Sequence, residues 1–335
     1  MLRFIVRRLL QAIPTLIVLS ILIFAWLRAL PGGPATAMLG DRWTPEREAQ
    51  LNAALGLDQP IWVQYWKFLG RAITGDFGNS TVTGLPVIEE IGRGFTATVE
   101  LSFFAMVVAI GLGIPLGYLA ARYRGRLLDN LTVVSTLIGV AVPVFFLGFL
   151  AKWVFSSQLG ILPPSGRQDV EINSTSVTGF VTLDGLLTRE FDATIDGLVH
   201  LLMPALVLAT IPMAVIVRIT RASVLDVLDE DFVRTAESKG LGTATIRRRH
   251  VLRNALLPVS TTIGLQTGLL LAGAVLTEKV FVWGGLGSLL AEAIELKDYP
   301  RLQALILLAA VVYVVVNLLV DISYAIIDPR VRVGR

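Results

Sequence analysis

The side chains of this chain best suited to chemistry are gathered in one stretch, Asp231 to Pro258, which reads DFVRTAESKGLGTATIRRRHVLRNALLP. It is the longest charged run in a sequence that is otherwise mostly hydrocarbon. The chain has two histidines, His200 and His250, and no cysteine. Disulfides, thiolate metal sites and cysteine catalysis are therefore excluded, and little remains for a metal centre. Three spacings that carry hydrolytic chemistry are also absent: Gly-x-x-x-x-Gly-Lys-Ser/Thr, His-Glu-x-x-His and Gly-x-Ser-x-Gly. The charged stretch is suited to binding rather than bond-making, and the chain is not expected to be an enzyme by itself.

The elements that position these charges follow from local rules. Asp229, Glu230 and Asp231 precede a short segment that ends at Lys239, and Gly240 follows. Acids at the start, a base at the end and a glycine beyond suit a short helix with a left-handed cap. After Gly242, Thr243 is expected to cap a second helix carrying Arg247, Arg248, Arg249, His250 and Arg253. That helix reaches Pro258, whose ring clashes with the Asn254 carbonyl and favours a bend. The expected product is a helix–glycine–helix bracket. A basic loop resting on anionic lipid would explain the arginines, but it explains the glycine hinge and the acid-led helix less well.

Of the 335 residues, 54% are apolar and 16% are charged. Several apolar runs reach the roughly 20 residues that a helix needs to cross a bilayer, and they do not alternate as barrel strands would. The expected fold class is an all-α polytopic membrane protein. Six spans are expected near 9–30, 97–121, 131–155, 198–219, 259–281 and 301–326. Lysine and arginine are in excess in the N-terminus, the 122–130 turn, the 218–258 stretch and the tail, so both termini are expected to be cytoplasmic. Arg3, Arg7 and Arg8 ahead of the first run resemble a secretory signal. The run is too long for one and lacks a small-x-small cleavage site, so it is read as a retained span. The expected domains are 1–30 as the first span, 31–96 as an extracytoplasmic segment, 97–326 as a transmembrane core carrying the bracket at 231–258, and 327–335 as a cytoplasmic tail.

Within the extracytoplasmic segment, residues 62–69 suit either a short amphipathic helix with its rings near the headgroups or an ordinary packed cap on the extracytoplasmic face. Gly113 and Gly117 form a small-xxx-small pair for close helix approach and Pro115 favours a kink, a grouping that fits helix packing or, as the alternative, a gating hinge. In the third span Pro143 and Phe146 stand beside Gly148, a grouping that fits either a constriction or a packed, kinked helix. Lys152 is expected to snorkel to the interface. Residues 157–197 form a polar external loop with a weak apolar patch near 178–187, and 281–300 a short external turn. In the fifth span Gln266 lies between Gly264 and Gly268, where an amide bonds a neighbouring helix or contacts a permeant molecule. Pro143, Phe146 and Gln266 are the candidate pathway residues. Glu100, Lys152, Glu278, Lys279 and Asp321 lie near span ends and are read as structural or interfacial. A proton-driven transporter would place a carboxylate or histidine near mid-membrane.

Arg234-Thr-Ala236-Glu237-Ser-Lys239-Gly240-Leu241, followed by Arg249-His250-Val-Leu-Arg253-Asn254-Ala-Leu-Leu-Pro258, resembles the cytoplasmic motif of ABC-importer permeases. More narrowly, it is similar to the first permease of the dipeptide/oligopeptide/nickel branch. The resemblance covers nearly the whole chain. It includes Leu30-Pro31-Gly32-Gly33-Pro34, Leu57-Asp58-Gln59-Pro60, Gly75-Asp76-Phe77-Gly78-Asn79-Ser80 and Gly113-Ile-Pro-Leu-Gly117. Trp283-Gly-Gly-Leu-Gly287, Asp298-Tyr-Pro300 and Asp328-Pro329-Arg330 complete it. The chain departs from the family at Gly33, where an aspartate is common, and in its long 157–197 loop.

The resemblance implies a type I ABC importer permease in a bacterial inner membrane, paired with a second homologous permease as a heterodimer. Its other partners would be two ATPase subunits or one fused ATPase chain, holding ATP and Mg, and an extracytoplasmic substrate-binding protein. It implies the lipid bilayer as surroundings, no nucleic acid, and no cofactor or metal in this chain. By that likeness Ala236, Glu237 and Gly240 belong to a coupling helix seated in the ATPase. Arg234, Lys239, Arg249 and His250 would add polar contacts or brace the bracket, with Gly242, Asn254 and Pro258 linking it to the fifth span. Short peptides are the expected cargo, with nickel or another small ligand as the alternative. A secondary transporter or channel working alone predicts buried charge or inverted repeats, and neither is evident.

Overall fold

Long apolar runs without strand alternation leave the backbone one way to satisfy its own polar groups in hydrocarbon, which is the helix. The computed structural model describes residues 2–29, 35–36, 39–40, 43–172 and 174–327. The motifs at 30–34 and 328–330 lie outside them. Among the described residues the regular elements are helical, apart from an isolated antiparallel bridge between Asn79 and Pro86. The chain forms two compact units, Met1–Thr98 with Gly284–Leu319, and Val99–Trp283 with Val320–Arg335.

In the first unit α1 (Leu2–Arg28) is followed by α2 (Pro45–Leu55) and α3 (Ile61–Thr74). α3 extends the amphipathic helix expected at 62–69. It docks on α1 through Tyr65, whose hydroxyl lies 2.8 Å from Ser20 Oγ and whose ring meets Phe24 edge-on at 5.2 Å. The Gln64 amide nitrogen donates to the carbonyls of Leu57 and Gln59 at 2.9 and 2.7 Å, which fixes the Leu57–Pro60 turn. The segment expected as a short external turn at 281–300 instead contains a helix, α12 (Leu286–Glu295). Its apolar residues Leu286, Leu289, Leu290 and Ala293 pack with Val87, Ile91 and Leu302, and that burial outweighs the local turn signals.

The second unit is built around α8 (Phe191–Leu228), which is longer than the expected fourth span and largely buried. α4 (Val87–Arg122) lies against it at the small-xxx-small pair. A Cβ on Gly117 would stand 2.6 Å from the Val217 carbonyl oxygen, and one on Gly113 would stand 2.9 Å from Ile216 Cγ2. The third span is not continuous. α5 (Leu127–Ala141) and α6 (Val144–Ala151), which runs into a π-helical turn at Lys152–Gln158, are bent by 102°. Pro143 removes an amide hydrogen and forces Val142 into an extended conformation, so the helix breaks there.

By length and composition three described helices can cross a membrane: α4, α8 and residues Tyr299–Leu318 of α13 (Tyr299–Ile327). Two bent pairs raise that number to five, the second being the arm from Thr243 to Leu270 with α11 (Val275–Phe281). α1 adds a shorter apolar section, Ile13–Trp26.

Two further expectations change. Lys152 does not reach outward; its Nζ donates to the Val280 carbonyl at 2.9 Å and holds the end of α11. The 157–197 loop is partly helical, with α7 at Val181–Thr188. The Asp184 carboxylate accepts bonds from the amides of Val177, Thr178 and Gly179 and from the Thr178 hydroxyl. Glu100 ties the loop to α4, accepting from the Thr182 amide and hydroxyl at 2.9 and 2.7 Å and from Arg167 at 2.7 Å.

Candidate functional site

The bracket forms from a short helix, a glycine turn and a helical arm. In α9 (Asp231–Ser238) the three-residue spacing of Val233 and Ala236 puts both on one face. They are buried with Ala121, Val224, Ile246, Val251 and Ala255. Ala236 thus anchors the helix to its own chain instead of facing outward. Arg234, Glu237, Ser238 and Lys239 occupy the exposed side, with Phe232 and Leu241 each 41% exposed at its two ends. Arg234 approaches Asp231 at 3.5 Å, an exposed pair that contributes little to stability. An amphipathic helix held by its inner face, with charge and two apolar groups on its outer face, is a shape that a protein groove can take.

Gly240 closes α9 at φ 73°. Its amide donates to the Glu237 carbonyl at 2.9 Å, and the Leu241 amide donates to the Ala236 carbonyl at 3.3 Å. That left-handed cap favours glycine. Gly242 differs, since its φ of −61° is open to any residue, so the expected two-glycine hinge requires glycine only at 240. Gly242, not Thr243, occupies the cap position of the next turn, and no side chain closes it. The turn Thr243–Thr245 passes into a π-helical segment, Ile246–Leu252, and then into α10 (Arg253–Gly273). The irregularity expected at Pro258 therefore falls upstream, and α10 continues through the proline. Asn254 Nδ2 donates to the His250 carbonyl at 2.6 Å beside that π-helical segment. His250 is half-buried, whereas Arg249 is exposed and lines an open groove with Arg248 and Arg253.

The end of α8 that carries the bracket is fixed by an ion pair that the sequence did not single out. Arg221 donates to both oxygens of the buried Asp129 carboxylate, at 2.6 and 2.8 Å, and the Gly125 amide adds a bond at 2.9 Å. Two-point guanidinium–carboxylate geometry fixes orientation as well as distance. The signal available in advance was an aspartate in a short basic turn.

The three candidate pathway residues separate. Pro143 and Gln266 line one cavity of about 370 Å³, together with Phe145, Pro212, Leu269 and Thr277. Phe146, 53% exposed, lies outside it. Among the described residues no group of three or more histidine, aspartate or glutamate side chains is placed to hold a metal ion.

Comparison with known proteins agrees with this architecture along the whole chain. Residues 113–333 match the family described as binding-protein-dependent transport system inner membrane component, and residues 1–102 match the corresponding N-terminal family. The dipeptide transport system permease protein DppB of Escherichia coli (strain K12) is 46% identical over 336 residues, covering 99% of each chain. The di/tripeptide transport system permease protein DppB of Pseudomonas aeruginosa (strain UCBPP-PA14) is 45% identical over 333 residues, again covering 99% of each. The dipeptide permease DppB of Alkalihalophilus pseudofirmus is 42% identical over 332 residues, covering 99% of this chain and 100% of that protein. With its helical fold, its broken spans and these matches, the chain belongs to the binding-protein-dependent inner membrane components, the permeases of type I ABC importers.

Proposed function

We propose that this chain is one of two permease subunits in an ATP-driven importer of short peptides. The observation that supports this most directly is the bracket, whose inner face is buried in its own chain and whose outer face presents Arg234, Glu237 and Lys239 between two exposed apolar residues. A fixed helix of this kind transmits movement because a close-packed cluster resists compression. The peptide cargo follows from full-length similarity to permeases named for dipeptide and di/tripeptide transport.

In this reading α1 completes six spans, and both termini face the cytoplasm. Two ATPase subunits, or one fused chain, carry ATP and Mg, and an extracytoplasmic binding protein delivers the peptide. Closure of the ATPases pushes α9, and the cluster around Val233 and Ala236 passes that push to α8 and to the arm leading into α10. Arg234, Glu237 and Lys239 make the outward contacts, while Arg249, His250, Asn254 and Pro258 brace the arm. The test is reconstitution of the chain with its partner permease, ATPases and binding protein in vesicles. ATP-dependent uptake of a labelled dipeptide is expected, and Gly240→Ile is expected to abolish uptake while ATP hydrolysis continues. Uptake of nickel in place of peptide, or uptake without ATPases, would replace this reading.

A further inference from the structure

The cavity beside the break at Pro143 lies between that break and the start of α6 on one side and α8, α10 and α11 on the other. At about 370 Å³ it falls within the range of small-molecule sites, roughly 300–1,000 Å³. Its wall is hydrocarbon from residues such as Pro143, Phe145, Pro212 and Leu269, and no charged side chain lines it. Gln266 and Thr277 are the two polar exceptions. They are 7% and 2% exposed. Pro212 adds a third polar feature, because a proline inside α8 cannot donate to the Leu208 carbonyl four residues earlier, and Leu208 also lines the cavity.

A carboxamide both donates and accepts, and so does a hydroxyl. Set in an apolar wall, they favour a ligand that brings its own N–H and C=O on an uncharged, compact body. A peptide unit has that chemistry, while a metal ion or a carboxylate would find no opposite charge here. We propose that Gln266 and Thr277 form a substrate-contact site that holds the backbone amide and one apolar side chain of a peptide during passage. The peptide's charged ends remain outside the cavity. Such a contact reads what all peptides share, so it serves a broad range of sequences. The inference rests on the peptide-import reading above.

The test uses the assembled transporter in vesicles with labelled alanyl-phenylalanine. Loss of one such hydrogen bond corresponds to up to about tenfold, so Gln266→Leu and Thr277→Val are each expected to lower uptake several-fold, with ATP hydrolysis intact. A second readout separates contact from structure. The same dipeptide methylated on its peptide nitrogen should be taken up more slowly than the parent by the native complex, and Gln266→Leu should bring the two rates together. The chain has no cysteine, so Leu276→Cys gives a single thiol on the cavity wall; the dipeptide is expected to slow its labelling by a small thiol reagent. That measurement decides the matter if the Gln266 and Thr277 variants do not assemble. Unchanged uptake in both variants, an unchanged methyl discrimination, or labelling indifferent to peptide each overturns the site while leaving peptide import standing. A native complex that hydrolyses ATP yet moves no dipeptide overturns the import reading and this site together.

Discussion

The hydroxyl of Ser80 donates a hydrogen bond to the buried carboxylate of Asp298, 218 residues further along the chain. The Thr81 amide donates to the same carboxylate at 3.2 Å, and Arg301 stands 3.6 Å away. Two sequence motifs, Gly75–Ser80 and Asp298–Pro300, are therefore halves of one joint. Ser80→Ala leaves a buried carboxylate short of a donor and is expected to cost about 1–3 kcal/mol. Thermal unfolding of the purified chain in detergent, with limited proteolysis of the 80–86 turn, measures it.

Arg301 is nearly fully buried and binds both oxygens of Glu90, at 2.9 and 2.8 Å. Removing the cation strands Glu90 and Asp298 together. Arg301→Met is expected to cost about 3–5 kcal/mol, more than the loss of Ser80, because two negative groups lose their counter-charge at once. The same unfolding assay ranks the two variants.

Gly117 and Gly111 offer a matched pair. A methyl group at 117 would overlap the α8 backbone, whereas at 111 it meets nothing within 4 Å. Gly117→Ala is expected to lower stability by about 1–3 kcal/mol through overpacking. Gly111→Ala should be neutral or slightly stabilising. Equal behaviour of the two would refute the close approach between α4 and α8.

At the bracket the contrast lies between Gly240 and Gly242. Alanine at 240 must adopt a left-handed conformation at a cost of roughly 1–2 kcal/mol, whereas at 242 it adopts an ordinary extended one. Gly240→Ala should loosen α9, seen as faster amide exchange at Glu237 and Leu241, and reduce uptake. Gly242→Ala should change neither by much.

Asp184 gives the external loop a pH dependence. Burial pushes its carboxyl up, but bonds from the Thr178 hydroxyl and the amides of Thr178, Gly179 and Val177 outweigh it, holding the group below the usual carboxylate range. A depressed value means the stabilisation is complete above the ordinary aspartate pKa and is lost as pH falls through the folded one. Proteolysis within 175–190 should therefore be slow at neutral pH and accelerate in acid. Asp184→Asn should be cut readily at neutral pH and respond less to acid.

What the sequence disclosed and what it concealed divide along physical lines. Apolar runs announce helices because their length is set by the bilayer, and the bracket stood out because acids, a base and Gly240 follow local capping rules. The joints did not, since Ser80 with Asp298, Asp129 with Arg221 and Glu100 with Arg167 are distant in sequence and each looks like an ordinary polar residue. The 157–197 stretch read only as a polar external loop because Asp184 organises it mostly through backbone amides, which leave no trace in residue type. Pro143 was visible as a kink, but the 102° turn depends on the packing of α6 against Val280 and Phe281. Gln266 stood out as an amide in an apolar helix, and Thr277 did not, because threonine near a helix end usually means nothing.

The cluster that holds α9 draws on Ala121 from α4, Val224 from α8, and Val251 and Ala255 from the arm and α10. A load applied at Glu237 therefore cannot displace one of these helices and leave the others at rest. In the proposed coupling they share a single input, so a push on α9 is expected to move them together.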